Sequence, residues 1–269
     1  MRYNLAIQLF KSQHLTPASR CERRSTNSLN RIVRLLLFGF GTLIITIILA
    51  GGLLMFQSSW ILSQLSNSHP DVLYSVYTDD RVIALTIDDG PDPETTPRIL
   101  DALAEYGAHG TFFLLSDQIS GNEDIVDRIV SEGHEIANHL NTDKPTILFT
   151  TSEFEQVLLK SHEALSSFDK VNWFRPGSGW FTKSILDVVK KNGYRTALGS
   201  IYPFDSQVPS SWFSTRYILW QIAPGSIIIL HDRGARGDRT IDTLNTILPD
   251  LTNRGFEIMT LTDLVAYEE

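Results

Sequence analysis

Two adjacent carboxylates, Asp88 and Asp89, stand where the apolar run Val82-Ile83-Ala84-Leu85 breaks into a turn at Gly90-Pro91. Alone they read as turn composition, since Asp, Gly and Pro punctuate chains with or without chemistry. Three further groups change that weight: His139 with Asp143, Arg175, and His231 with Asp232, each following a predicted strand. Asp89, His139 and Asp143 could give three ligands to one divalent ion and leave a position for water, the pattern of a catalytic site. Asp88 and His231 then remain as a base and an acid. Amide hydrolysis needs these parts: an activated water, a stabilised oxyanion and a proton for the departing nitrogen.

Such residues meet only if the fold gathers strand ends. Short apolar runs alternate with helix-period segments, the pattern of βα units around a mainly parallel sheet. Strands are predicted at Val82–Asp88, Gly110–Leu115, His134–Asn138, Tyr194–Gly199, Ser226–Leu230 and Glu257–Thr260. Helices are predicted from Thr96-Pro97, over Asn122–Glu132, after a capping box of Ser152 with Glu155, from Lys183 to a cap at Gly193, and over Thr240–Thr252. The fold class is α/β. A small, incomplete or distorted (β/α) barrel of about seven strands suits the count better than a doubly wound sheet, which shares the pattern.

The ordered set Thr86-Ile87-Asp88-Asp89-Gly90-Pro91, Gly133-His134-Glu135-Ile136-Ala137-Asn138-His139, Arg175-Pro176-Gly177 and Leu230-His231-Asp232 resembles that of polysaccharide deacetylases, carbohydrate esterase family four or NodB-homology domains. The resemblance covers nearly all of residues 80–265. It implies that Asp88 is the catalytic base and that Asp89 and His139 are metal ligands. It further implies that Arg175 steadies the base and that His231 is the general acid, with Ile229 and Leu230 walling the acetyl pocket. Pro176 and Trp180 are further pocket candidates, and Asp205 is the candidate carboxylate for orienting His231. The family usually has a second histidine four residues after the first; here that place is Asp143. A carboxylate hardens the site, so zinc leads among the expected ions, with manganese, iron or cobalt beside it. Gly177-Ser178 also departs from the usual Pro and aromatic residue.

The rest of the chain concerns location. Leu35 to Phe56 contains no charged residue, and 22 residues of helix span roughly 33 Å, enough for a hydrocarbon core. Residues 1–34 carry seven basic side chains against Glu22 alone, so they are expected to stay cytoplasmic. Both the basic start and the apolar stretch are too long for a cleaved signal peptide, although Ala50-Gly51-Gly52 offers small residues, and Arg23-Arg24 is a weak twin-arginine match. The expected order is a basic tail (1–34), a transmembrane anchor (35–56), a polar stalk (57–70) and one catalytic domain (71–269) outside the cytoplasm. The whole chain is −8 and its first 34 residues are +6, so the remainder is −14, which argues against nucleic acid as a partner. The single cysteine, Cys21, lies in the tail, so the domain can form no internal disulfide.

Of the remaining histidines, His134 is expected to be structural. Arg233, Arg236 and Arg239 read as a solvated loop or as contacts to an acidic glycan. The expected activity is metal-dependent removal of N-acetyl groups from N-acetylglucosamine residues of an envelope polysaccharide such as peptidoglycan or chitin-like chains. A glycan O-acetyl esterase and a non-catalytic glycan-binding protein of the same fold are the alternatives.

Overall fold

Alternate residues of each apolar run face opposite sides of one sheet, which is why the runs become strands with two buried faces. The computed structural model describes residues 33–46, 52 and 59–268. Its strands are β1 (Val72–Leu73), β2 (Val82–Asp88), β3 (Gly110–Leu114), β4 (Glu135–Asn138), β5 (Trp173–Phe174), β6 (Arg195–Ala197), β7 (Ile227–His231) and β8 (Glu257–Met259). All pair in parallel, in the order β1-β6-β5-β4-β3-β2-β7. β8 pairs with Val82–Ala84 of β2, while β3 pairs with Leu85–Asp88. A single parallel bridge from Ile201, just past β6, to Ile228 links the ends of the run β6-β5-β4-β3-β2-β7. The result is the expected small, distorted barrel, held shut at one point.

The helices are α1 (residues 33–46), α2 (Ser59–Ser68), α3 (Thr96–Glu105), α4 (Glu123–Ser131), α5 (Thr151–Leu165), α6 (Lys183–Lys191), α7 (Ser211–Gln221), α8 (Gly234–Asn253) and α9 (Leu261–Leu264). Ile83, Leu85 and Ile87 of β2 join Ile228 and Leu230 of β7 in the core cluster shared with helix residues such as Ile99, Leu103 and Leu244. The alternate residues Val82, Ala84, Phe113, Ala137 and Ile227 make a second, smaller cluster on the barrel side. That alternation aims Thr86, Asp88 and His231 inward.

Several expectations shift. The capping box belongs to Thr150 and Glu153, not Ser152 and Glu155. Both pairs fit the pattern, but the earlier one places Phe149 and Phe154 on either side of the cap, and both pack into the core. Glu155 instead pairs with Lys191 at 2.9 Å. The stalk is helical over Ser59–Ser68, and α8 begins six residues before the predicted start. β1 and α7 were not predicted, and β5 was expected only as a strand end before Arg175, without bounds; two-residue strands carry no readable period. Among the described residues no helix is long and apolar enough to cross a membrane. The predicted anchor lies only partly among them: residues 35–46 fall in α1, whereas 47–51 and 53–56, and residues 1–32 of the tail, lie outside the described residues.

His134 is buried just before β4, where its Nδ1 accepts from the Gly110 amide at 3.0 Å. Burial, then the neighbouring His109, pushes its pKa down to about 4. The unfolded chain binds this proton below about pH 6.5 and the folded chain does not, so stability falls as pH drops through that window toward 4. From pH 7 to pH 5 this site should remove about 2 kcal/mol of unfolding free energy. Denaturant titrations of the protein and His134→Asn at both pH values check this, since the variant should lose less on acidification.

Candidate active site

Asp88 is the last residue of β2 and is 3% exposed. A carboxylate that deep needs a partner, and Arg175, just past β5, supplies it: Nη1 donates to Asp88 Oδ1 at 2.6 Å and to Thr86 Oγ1 at 2.8 Å. The guanidinium also donates through Nε to the Ala197 carbonyl at 3.1 Å and through Nη2 to that of Leu198 at 3.0 Å, and it stacks over Phe113. Thr86 passes the network on by donating to the Ile228 carbonyl at 2.7 Å. One arginine therefore ties β2, β5, the end of β6 and β7 around the carboxylate.

Asp89 and His139 lie beside it, with Asp89 Oδ1 3.6 Å from His139 Nε2. His139 Nδ1 is 2.9 Å from the Arg175 carbonyl. A carbonyl only accepts, so Nδ1 carries the proton and the Nε2 lone pair faces Asp89, the orientation of a ligating histidine. Ligand atoms of Asp89, His139 and Asp143 all fall within 4.8 Å of one another. Asp89 is 1% exposed, yet neither carboxylate oxygen has a hydrogen bond. Burial pushes its pKa up, an effect that a positive charge on a neighbouring imidazole, such as that of His231, opposes. A buried carboxylate without a hydrogen bond, paired with the Arg236 guanidinium at 2.9 Å, a lone pair aimed at it and a second carboxylate fit a divalent cation.

His231 ends β7, opposite Asp88 in register. Asp205 lies against it: Oδ2 accepts from the His231 amide at 2.9 Å, and Oδ1 lies 2.9 Å from Nδ1. Nδ1 donates to Asp205, leaving Nε2 as the free atom. Burial is the largest influence on this imidazole and pushes its pKa down, but the Asp205 hydrogen bond and the charges of Asp205, Asp88 and Asp89 outweigh it, raising it to about 9. Tyr202 packs its ring edge on the same imidazole.

The remaining candidates separate. Ile229 is buried yet outside the helix-facing cluster, on the same strand face as His231, whereas Leu230 is fully buried among helix-facing residues and cannot wall a pocket. Neighbours in a strand face opposite ways. Pro176 is buried beside Arg175, and Trp180 stands 64% exposed at the end of the same loop. A cavity of about 380 Å³ lined by Val72, Leu73, Lys190 and Arg195 shares no lining residue with this cluster.

Three features escaped the sequence reading. All five described non-glycine residues with positive φ (Asp89, Leu140, Ser178, Phe204 and Arg233) lie in loops that follow β2, β4, β5, β6 and β7. Backbone strain is thus concentrated at one mouth of the barrel. Asp232 is fully buried and accepts from Thr95 Oγ1 and Thr96 Oγ1, which locks the loop after Asp89 to the end of β7. Arg233, Arg236 and Arg239 recur at helical spacing, a signal hidden by placing the helix start at Thr240. Arg239 donates to the Asp205 carbonyl at 3.1 Å, and Arg236 turns toward Asp89.

Residues 75–197 match the family model for polysaccharide deacetylase. A peptidoglycan-N-acetylglucosamine deacetylase of Bacillus cereus is 31% identical over 200 residues, covering 73% of this chain and 94% of the relative. The chain belongs to the polysaccharide deacetylase family. A chitooligosaccharide deacetylase of Rhizobium leguminosarum bv. trifolii is 33% identical over 199 residues, covering 68% of this chain and 92% of that one. Among solved structures, the Bc1960 peptidoglycan N-acetylglucosamine deacetylase aligns with a TM-score of 0.69 at 29% identity, over 74% of this chain and 95% of that one. The polysaccharide deacetylase match ends before Asp205 and His231, so their pairing rests on the geometry above.

Proposed function

We propose that the protein is a metal-dependent deacetylase that removes N-acetyl groups from N-acetylglucosamine residues of a cell-envelope polysaccharide. The observation that carries this reading is the buried Asp89 carboxylate, without a hydrogen bond, beside His139 Nε2 and next to the Asp88–Arg175 pair. A divalent ion on Asp89, His139 and Asp143 would polarise the acetyl carbonyl and acidify water. Asp88, oriented by the Arg175 guanidinium at 2.6 Å, takes the proton of the attacking water. His231, pinned through Nδ1 by Asp205, whose hydrogen bond and charge push its pKa up, offers Nε2–H to the leaving nitrogen.

That acid favours an amide over an ester, because an alcohol leaves with little protonation and an amine does not. The glycan chemistry of the two relatives supports peptidoglycan or chitin-like oligomers as substrates. The uncharged segment 35–56 behind a basic tail supports a domain held outside the cytoplasm by a membrane anchor.

Acetate release by the full-length chain from N-acetylglucosamine oligomers, peptidoglycan and acetylated xylan tests the activity. Chelator-treated protein should be inactive, and zinc, manganese or cobalt should restore release from the amide substrates. Release confined to acetylated xylan would establish an esterase instead, and release unaffected by chelation would remove the metal from the reading.

A further inference from the structure

Arg236 sits in the first turn of α8, and the surroundings fix that turn. Gly237 packs so closely on Thr95 that a Cβ there would come within 2.5 Å of its side chain. Thr240 Oγ1 donates to the His231 carbonyl at 2.7 Å, and Asp238 pairs with Arg98 at 2.7 Å. From this footing Arg236 Nη1 reaches 2.9 Å from Asp89 Oδ2 and 3.8 Å from Asp143 Oδ2.

Helix stability does not explain the residue. The N-terminal end of a helix disfavours cations, and the first turn of α8 carries no acid to offset it. Nor does the contact satisfy Asp89 as a hydrogen bond, since both oxygens remain without one. What the guanidinium brings is charge, placed against two of the three residues that fit a metal. Asp89 and Asp143 bring two carboxylates to the triad, and Arg236 supplies one positive charge beside both.

We propose that Arg236 is a built-in counter-cation of the Asp89–His139–Asp143 set, which offsets one of its two carboxylates and contests the divalent ion for the same oxygens. This rests on reading those residues as the metal site. The side chain sets how tightly metal is held. A unit charge some 3–4 Å from the ligand oxygens repels a divalent ion by several RT even at an effective dielectric constant of about 20. The penalty falls alike on every divalent ion, because it is a matter of charge rather than coordination.

Dissociation constants of the full-length protein for zinc, manganese and cobalt, measured by chelator competition, test the proposal. Arg236→Met and Arg236→Gln should each bind at least about tenfold tighter, by a similar factor for all three ions, and Arg236→Lys should stay near the parent. The difference should shrink at high salt, as the side chain is 27% exposed. Equal or weaker binding by both neutral variants would overturn the proposal, weaker binding marking Arg236 as a support that orients Asp89. If neither the parent nor the folded variants bind any of the ions, the metal reading falls. If the parent and the variants bind equally, only the role of Arg236 falls.

Discussion

Asp88→Asn is expected to lower kcat for N-deacetylation by about 10³-fold while leaving substrate and metal affinity within a few fold, the usual scale for loss of a positioned general base. Asparagine has the same shape, and its carbonyl oxygen can still accept from Arg175 Nη1, now 2.6 Å from Oδ1. The loss is therefore chemical: an amide does not take a proton from water at neutral pH. Stability should fall as well, because a buried guanidinium loses its counter-charge. The check is kcat and KM for N-acetylglucosamine oligomers at matched metal occupancy. A rate within tenfold of the parent would remove Asp88 from the reaction, and retained glycan binding without turnover separates an enzyme from a glycan-binding protein.

The second large effect is on folding. Arg175 is 2% exposed and donates to four acceptors on the barrel strands or just past them. Arg175→Met keeps the bulk but orphans Asp88 and two backbone carbonyls, so unfolding free energy should drop by about 3–5 kcal/mol. For a domain of this size the melting temperature should fall by about 6–20 °C. The diagnostic is the double variant Asp88→Asn/Arg175→Met, which carries no uncompensated charge and should be more stable than Arg175→Met alone. Simple addition of the two single effects in a thermal or denaturant cycle would show that the pair is not coupled. Arg175→Met should also lose activity, since Asp88 would no longer be oriented by the guanidinium.

Much of this site was readable from residue order. Asp88, Asp89, His139, Arg175 and His231 each follow an apolar run, and in a parallel βα fold strand ends converge at one mouth whatever their separation in the chain. Asp205 was a candidate only through what the family resemblance implied, and its hydrogen bond to His231 Nδ1 came from the structure. The N-terminal basic-then-apolar pattern remains an expectation of composition alone.

Other features depended on three dimensions. Leu230 looked like its neighbour Ile229 in sequence, and only the facing of β7 sends one to the helix layer and the other to the side of His231. The five strained residues at the mouth are not of the types that favour left-handed backbone in every case, Leu140 and Phe204 least of all, so no local propensity announces them. Arg236 was one of three arginines in an apparent loop. Its approach to Asp89 follows from the early start of α8 and from Gly237 packing on Thr95, contacts between segments about 140 residues apart. The sequence by itself determined the types of chemical group, their order and the strand ends that carry them, because these follow from residue identity and hydrophobic period. The tertiary structure decided which face each group takes, which carboxylate is left without a hydrogen bond and which cation stands beside it, because those depend on packing between distant segments that no local pattern encodes.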